Sequence, residues 1–273
     1  VGLVVKDLKE ATALGREIRE YLAARGVEVA VEEASAARLG VRGPRLEEME
    51  ADLIVLLGGD GTILKTVAKT AGKEIPILGI NFGTMGFLVE IQPKDWREAL
   101  ERVLKRDYTV EAKRKLAVRL NGKGVGEALN EAVVISSMPV RMLHLQVAVD
   151  GEVVQDLRAD GVIVSTPTGS TAYSYSAGGP ILDPRVEGLV VTPICPFEPG
   201  IRPIIVPSSS EITVRLLRSK GEATIVVDGE HKGMVAPEGE VTFTSSDKSA
   251  LFVKLRKDFY GRIRERFGTW RDL

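Results

Sequence analysis

Apolar residues follow two different rhythms along this chain, and the change falls near residue 106. In the first part, short apolar runs alternate with stretches of helical spacing. Val1-Gly-Leu-Val-Val5 reads as a buried strand. Leu8 to Arg25 follows as a helix, with Ala11, Leu14, Ile18, Tyr21 and Leu22 on one face and Gly26 as its stop. Val27 to Val31 reads as a second strand, whereas residues 33–50 are acidic and alanine-rich without clear periodicity. Leu53-Ile-Val-Leu-Leu57 is apolar at every position, the signature of a strand covered on both faces. A helix over 62–72, a strand over Ile75–Ile80 and an amphipathic helix over 94–105 complete the series. Strands alternating with helices predict an open, parallel α/β sheet.

Beyond residue 106 the helical spacing disappears. Short strand-like runs take over: Ala117–Leu120, Ala132–Ile135, Leu143–Val149, Glu152–Leu157, Val162–Ser165, Leu189–Thr192, Ile204–Val206, Ile212–Leu217, Ala223–Val227 and Val241–Thr244. Turn residues separate them, and Asp150-Gly151 reads as a tight hairpin. This spacing predicts an all-β, sandwich-like second domain. Phe259 to Gly268 returns to helix, with Phe259, Ile263 and Phe267 on one face, and is expected to pack on the first domain. The predicted division is 1–106 plus 250–273 for the α/β domain and 107–249 for the β domain.

Composition narrows the function classes. An apolar share of 44% with 27% charged residues is that of a soluble globular protein. The net charge of −1 gives no electrostatic case for nucleic acid or an anionic membrane surface. No apolar run is long enough to span a bilayer, and the start at Val1 reads as trimmed, without a signal peptide. The single cysteine, Cys195, excludes an internal disulfide and fits a reducing, cytoplasmic setting. With only His144 and His231 and no cysteine cluster, a metal cage made of protein ligands is not expected. Abundant Lys, Arg and Glu beside scarce Asn and Gln hint at a thermophilic source.

The candidate chemistry sits in two stretches. Gly58-Gly-Asp-Gly-Thr62 joins the buried run to the next helix. Glycine permits a sharp turn and close approach of a ligand, and the free N–H groups of a helix start make a seat for phosphate. Asp60 is out of place in a phosphate cradle unless it has chemical work or holds a metal; a plain βα turn is the alternative. A Walker loop is excluded because Lys65-Thr66 follows Leu64, and Gly79, Gly83 and Gly86 lack the dinucleotide fingerprint spacing. The turns at 58–61 and 83–86 both close predicted strands, where α/β sheets bind ligands, so one crevice could hold both. The second stretch, 160–181, carries a run of Ser, Thr and Tyr from Ser165 to Ser176. Such hydroxyls donate and accept together and suit a sugar, a base or an amide; an ordinary Ser/Thr-rich loop is the alternative. No Gly-x-Ser-x-Gly elbow marks a nucleophilic serine.

Taken together, these stretches resemble the NAD kinases. Four blocks match in order: Gly58–Thr62, Asn81-x-Gly-x-x-Gly-Phe-Leu88, Asn130-Glu131, and Asp160–Ile181 with Thr166-Pro-Thr-Gly-Ser-Thr-Ala-Tyr173. The last is highly specific, whereas Gly-Gly-Asp-Gly is shared with diacylglycerol, sphingosine and phosphofructokinases. The resemblance implies a Rossmann-like open α/β domain followed by an all-β sandwich. It also implies transfer of the γ-phosphoryl group of ATP, or a group from inorganic polyphosphate, to the 2′-hydroxyl of the adenosine ribose of NAD. Asp60 would be the general base, with Gly61 and Thr62 beside it and Mg²⁺ or another divalent cation on the phosphates. By position, Asn130 and Glu131 would grip the adenosine part and Asp160 would lie near the nicotinamide amide. Thr171, Ala172, Tyr173, Ser174, Tyr175 and Ser176 would line the NAD pocket, and Phe82 would lie near the nucleotide. Arg141 and Arg158 would approach phosphates. Cys195 stands where a small residue is common and Glu230 where Gln is frequent, the latter needing Lys232 or an arginine to offset its charge. His231 reads as a surface turn residue. The resemblance further implies a homodimer or homotetramer. A lipid or sugar kinase and a non-catalytic dinucleotide sensor are the competing readings; the first lacks a membrane-facing patch, and the intact Asp60 opposes the second.

Overall fold

The structure, a computed structural model, describes residues 1–70, 72–83, 86–217, 221–255 and 259–268. The chain forms two compact units, Val1–Ala112 with Ala250–Leu273, and Lys113–Ser249.

The first unit contains β1 (Gly2–Val5), α1 (Lys9–Ala23), β2 (Ala30–Val31), α2 (Glu33–Leu39), β3 (Ile54–Gly58), α3 (Asp60–Lys69), β4 (Ile77–Asn81) and α4 (Trp96–Leu104). Its strands run parallel in the order β2-β1-β3-β4, with Leu3 opposite Val55 and Val55 opposite Leu78. Every residue of β1 and β3 is buried, as a strand without polar alternation requires. α1 buries Ala11, Leu14, Ile18, Tyr21 and Leu22, the face its spacing predicts. Each large side chain so buried contributes roughly 1.5–3 kcal/mol.

Three elements of this unit differ from expectation. β2 keeps only two residues, because the Val27 N–H turns back to the Leu22 carbonyl and closes the end of α1. The aperiodic stretch after it holds α2, which starts where the Glu32 carboxylate accepts the Ala34 and Ser35 N–H groups and stops at Gly40 with φ +72°. The helix expected over 62–72 is α3, which begins at Asp60 and ends at Lys69; residue 71 lies outside the described residues.

The second unit is built from β5 (Thr109–Leu120), β6 (Lys123–Ala128), β7 (Glu131–Ser136), β8 (Leu143–Val149), β9 (Glu152–Ala159), β10 (Gly161–Ser165), the short α5 (Tyr173–Ser176), β11 (Gly188–Ile194), β12 (Ile204–Pro207), β13 (Ile212–Leu216), β14 (Ala223–Val227), β15 (Glu230–Val235) and β16 (Glu240–Lys254). One sheet has the order β12-β11-β10-β7-β14-β15, antiparallel throughout. β16, β13, β8 and β9 pair antiparallel in the other. Val134, Val164, Val191 and Ile225 of the first sheet share one core with Val147, Leu157, Val214 and Phe243 of the second. That is the expected sandwich. Asp150-Gly151 is the hairpin turn foreseen, with φ of +51° and +85°. Two further hairpins, at Asn121-Gly122 and Asp228-Gly229, bring in β6 and β15, whose polar sequences hid them from the apolar pattern. His231 therefore sits in a strand, exposed, and not in a turn.

α6 (Phe259–Phe267) follows β16 and belongs to the first unit, as its apolar face suggested. Phe87 stacks on Phe267 with ring centres 5.6 Å apart and lies 6.2 Å from Phe259. Among the described residues no helix is long and apolar enough to cross a membrane.

Candidate active site

In the first unit, β3 ends at Gly58, and Gly59 in extended conformation caps α3. A side chain on Gly58 would run into Thr62, so that position demands glycine, whereas one on Gly59 would meet Gly83 Cα at 3.4 Å, an ordinary contact. The turn after β4 lies directly against it, with the Phe82 N–H donating to the Gly58 carbonyl at 2.9 Å. The two glycine turns thus share one corner. Thr84 and Met85, in the middle of the second, lie outside the described residues. Gly61 faces open space, leaving room for a ligand.

Asp60 occupies the first turn of α3, where the helix dipole favours a negative charge. Its two carboxylate oxygens accept different amides: Phe87 N–H donates to Oδ2 at 2.9 Å and Leu88 N–H to Oδ1 at 3.2 Å. A Cβ on Gly86 would overlap this carboxylate and push it aside. Thr62 is half-buried behind the corner. Phe82 is also half-buried and packs on the core of this unit. Among the described residues no three His, Cys, Asp or Glu side chains gather as a metal cage.

In the second unit, Asn130 and Glu131 lead into β7. Thr166 holds their backbone from one side: its N–H donates to the Asn130 carbonyl at 2.9 Å and its hydroxyl to the Leu129 carbonyl at 2.6 Å. Gly169 packs so closely on the Asn130 carbonyl that a side chain would not fit. Asp228 holds them from the other side. It accepts the N–H groups of Leu129 at 2.6 Å, Asn130 at 2.9 Å and Glu131 at 3.2 Å. The sequence reading passed over Asp228, although its Asp-Gly turn was visible beside Glu230.

The Glu131 carboxylate accepts the Tyr173 backbone N–H, while its Oε2 is buried with no partner among the described residues. Burial, then the nearby Asp228 carboxylate, push the Glu131 carboxyl up to about 8. Ser165, opposite Glu131 in the β7–β10 register, is fully buried and its hydroxyl likewise lacks a partner there. Burial also raises the Asp228 carboxyl, outweighing the three amides and Lys115. Lys115 is itself buried on β5 and shifted down by burial, with Glu127 and Asp228 pulling it back.

The structure brings Asn130, Glu131, Thr171, Ala172 and Tyr173 into one cluster. Thr171 is buried, its hydroxyl donating to the Thr168 carbonyl at 3.3 Å, and the Tyr173 side chain is exposed. Ser174 points inward to the Thr192 hydroxyl at 2.8 Å, whereas Tyr175 and Ser176 are exposed. Asp160 and Cys195 form a second group at the far end of β10, where the Asp160 N–H donates to the Ile194 carbonyl at 3.0 Å. Asp160 and Ser165 are five residues apart, about 16 Å of extended strand. Cys195 is exposed with φ +48°. Nearby, Arg158 is bound to Glu198 at 3.1 Å and lies over Phe197. Arg141 is exposed in the β7–β8 connection. Glu230 opens β15, and Lys232 pairs with it at 2.7 Å.

A parallel sheet ending in a glycine corner with one aimed carboxylate, joined in sequence to a β-sandwich, defines a two-domain phosphotransferase class. Residues 1–108 match the ATP-NAD kinase N-terminal domain, and residues 129–255 match the ATP-NAD kinase C-terminal domain. The NAD kinase of Methanothermobacter thermautotrophicus is 45% identical over 97% of this chain and 95% of its own length. That of Thermococcus kodakarensis is 41% identical over 97% and 99%. Among solved structures, yeast NADH kinase complexed with NADH superposes with a TM-score of 0.89 at 26% identity, covering 100% of this chain and 88% of that one. An NAD kinase from Archaeoglobus fulgidus in complex with ATP gives 0.79 at 32% identity, covering 96% and 98%. The chain belongs to the NAD kinase family.

Proposed function

We infer that this protein transfers the γ-phosphoryl group of ATP to the 2′-hydroxyl of the adenosine ribose of NAD, with Asp60 as general base. The observation that carries the base assignment is the Asp60 carboxylate, fixed by the Phe87 and Leu88 amides in a corner with open space beside it. Each amide takes one lone pair of its oxygen, so both oxygens keep acceptor capacity for a ribose hydroxyl. As the ribose oxygen attacks phosphorus, the bond to the β-phosphate oxygen breaks, ADP leaves and the hydroxyl proton passes to Asp60. Mg²⁺ bound to the ATP phosphates would supply charge neutralisation. The glycine-corner amides supply further donors to phosphate oxygens.

The dinucleotide itself belongs on the second unit's cluster. Asn130, Glu131 and Thr171–Tyr173 take the adenosine end, and Asp160 with Cys195 takes the nicotinamide end. The length of β10 between the two groups suits an extended dinucleotide. Glu230 with Lys232 stands close to Asp228 in sequence, and Arg158 and Arg141 remain phosphate contacts of this reading. A homodimer or homotetramer accompanies it, measurable by light scattering.

The test mixes the protein with ATP, Mg²⁺ and NAD and detects NADP with an NADP-specific dehydrogenase; a parallel reaction replaces ATP with polyphosphate. NADP formation with ATP is expected, and Asp60→Asn should keep NAD binding but lose roughly 10²–10⁴ in rate. An Asp60→Asn protein at near wild-type speed would refute the base assignment. Phosphorylation of diacylglycerol or fructose 6-phosphate, with silence toward NAD, would overturn the substrate.

A further inference from the structure

The loop that holds Asp60 is itself held from α6. Phe82 leaves β4 and Ile91 lies back beside it, the Asn81 N–H donating to the Ile91 carbonyl at 2.7 Å and the Ile91 N–H to the Gly79 carbonyl at 3.2 Å. This pins the base of the loop, not the Phe87-Leu88 amides near its middle. A cavity lined in part by Asn81, Gly86, Val89, Glu90 and Arg262 borders it, while the Leu88 and Val89 side chains are buried in the core.

Phe87 is where the hold is applied. Its carbonyl accepts Arg262 Nη1 of α6 at 2.9 Å, while its own N–H donates to Asp60 Oδ2. Its ring stacks on Phe267, with Phe259 on α6 as a second neighbour. Arg262 is in turn fixed by Glu90, Nη2 to Oε1 at 2.6 Å, and Glu90 also pairs with Lys254. Lys254 reaches Glu111 as well, at 3.4 Å. These side chains of Arg262, Glu90 and Lys254 are largely buried, so the pairs are screened less than surface pairs. A continuous path therefore runs from α6 through one peptide unit to the carboxylate.

We propose that Arg262, with the aromatic clasp of Phe259 and Phe267 on Phe87, is the positioning device for Asp60, so that α6 sets the aim of the catalytic carboxylate. Polarising the Phe87 carbonyl fixes the peptide plane preceding Leu88, and hence the direction of the Leu88 N–H. The ring contacts fix the Phe87 peptide itself. Without the tether the two amides no longer converge on Asp60, and its carboxylate samples directions that miss the ribose hydroxyl. This rests on Asp60 being the base.

The experiment is a double-mutant cycle in the full chain, assayed with ATP, Mg²⁺ and NAD. Arg262→Met should lower kcat by about tenfold to a hundredfold, the cost of misplacing a reacting group, with KM for both substrates within about twofold. Arg262→Lys keeps a cation for Glu90 and should recover part of the loss. In an Asp60→Asn background, Arg262→Met should change kcat by less than about twofold, since the residue it positions is gone. Arg264→Met, on an exposed position of the same helix, should leave the rate unchanged. Amide hydrogen exchange at Phe87 and Leu88, read on the same proteins, should quicken in Arg262→Met and less so in Arg262→Lys. If Arg262→Met does not fold, the Arg262→Lys rate and exchange carry the test. Wild-type kcat and wild-type exchange in the Arg262 variants, an effect confined to KM, or a full multiplicative loss on top of Asp60→Asn would each overturn the proposal. A fast Asp60→Asn enzyme would sink the base assignment; a slow one beside a fast Arg262→Met enzyme sinks the positioning role alone.

Discussion

Asp228 and Glu131 are two buried carboxylates whose different surroundings give them different tasks. Asp228 is saturated with amide donors, and Asp228→Asn would turn an NH₂ group toward the Leu129 N–H that now donates to Oδ2. One buried donor is then unmet, at a cost of ~1–3 kcal/mol in denaturant unfolding. Because the same amides fix Asn130 and Glu131, KM for NAD should rise while kcat at saturating NAD changes less. Glu131, in contrast, holds its proton to about 8 in the folded protein, against an ordinary value of 4.5. Below about 4.5 both folded and unfolded chains carry the proton and its contribution to stability is fully present. As pH rises toward about 8, the unfolded carboxyl ionises first, so the contribution falls and is lost as pH passes the folded value. Glu131→Gln should therefore flatten the decline of the thermal midpoint across this window; an unchanged slope would show that another group titrates there. Glu131 was legible as part of a motif, but its raised proton affinity was not. That depends on burial and on Asp228, which lies far along the chain and meets Glu131 only through strand pairing.

At the level of elements, the sequence was clearest where one periodicity ruled. α1 and β3 followed directly from apolar spacing, and the sandwich strands with alternating inner residues followed almost as well. α2 was lost because its seven residues show little periodicity; its markers are the Glu32 cap and Gly40. β6 and β15 were lost because their partners, not their own apolar residues, define them, although Asn121-Gly122 is the turn chemistry that could have revealed the first. The glycine corner was legible as a sharp turn between a buried strand and a helix start. That Asp60 belongs to the first turn of α3, and answers to amides from the loop after β4, needed the fold. Gly86→Ala tests that coupling. The new methyl would displace the Asp60 carboxylate, so kcat should fall at least about tenfold while NAD affinity and the thermal midpoint stay near wild type. A fully active Gly86→Ala enzyme would mean the carboxylate has freedom that the Phe87 and Leu88 contacts deny it.

Across the whole molecule, composition excluded more than it identified. Near-neutral charge and a single cysteine removed whole classes of partner and chemistry, yet they are shared by many unrelated proteins. Recognition came from short blocks, several of whose glycines lie against other backbone or side-chain atoms. Gly169 shows the physical reason for one such position: an added carbon would overlap the Asn130 backbone and has nowhere to go. The change of rhythm near residue 106 falls a few residues before the boundary of the compact units at Ala112, and the hold of α6 on Phe87 could not be read at all, since an arginine on an amphipathic helix looks like any solvated charge. The first unit is assembled from both sides of the second, residues 1–112 and 250–273. On the ribosome, the sandwich can therefore close while the α/β sheet still waits for its remaining pieces. Asp60 emerges early, but Arg262 is translated some two hundred residues later, so in a nascent chain the Phe87 carbonyl waits for its arginine donor until synthesis has passed the β domain.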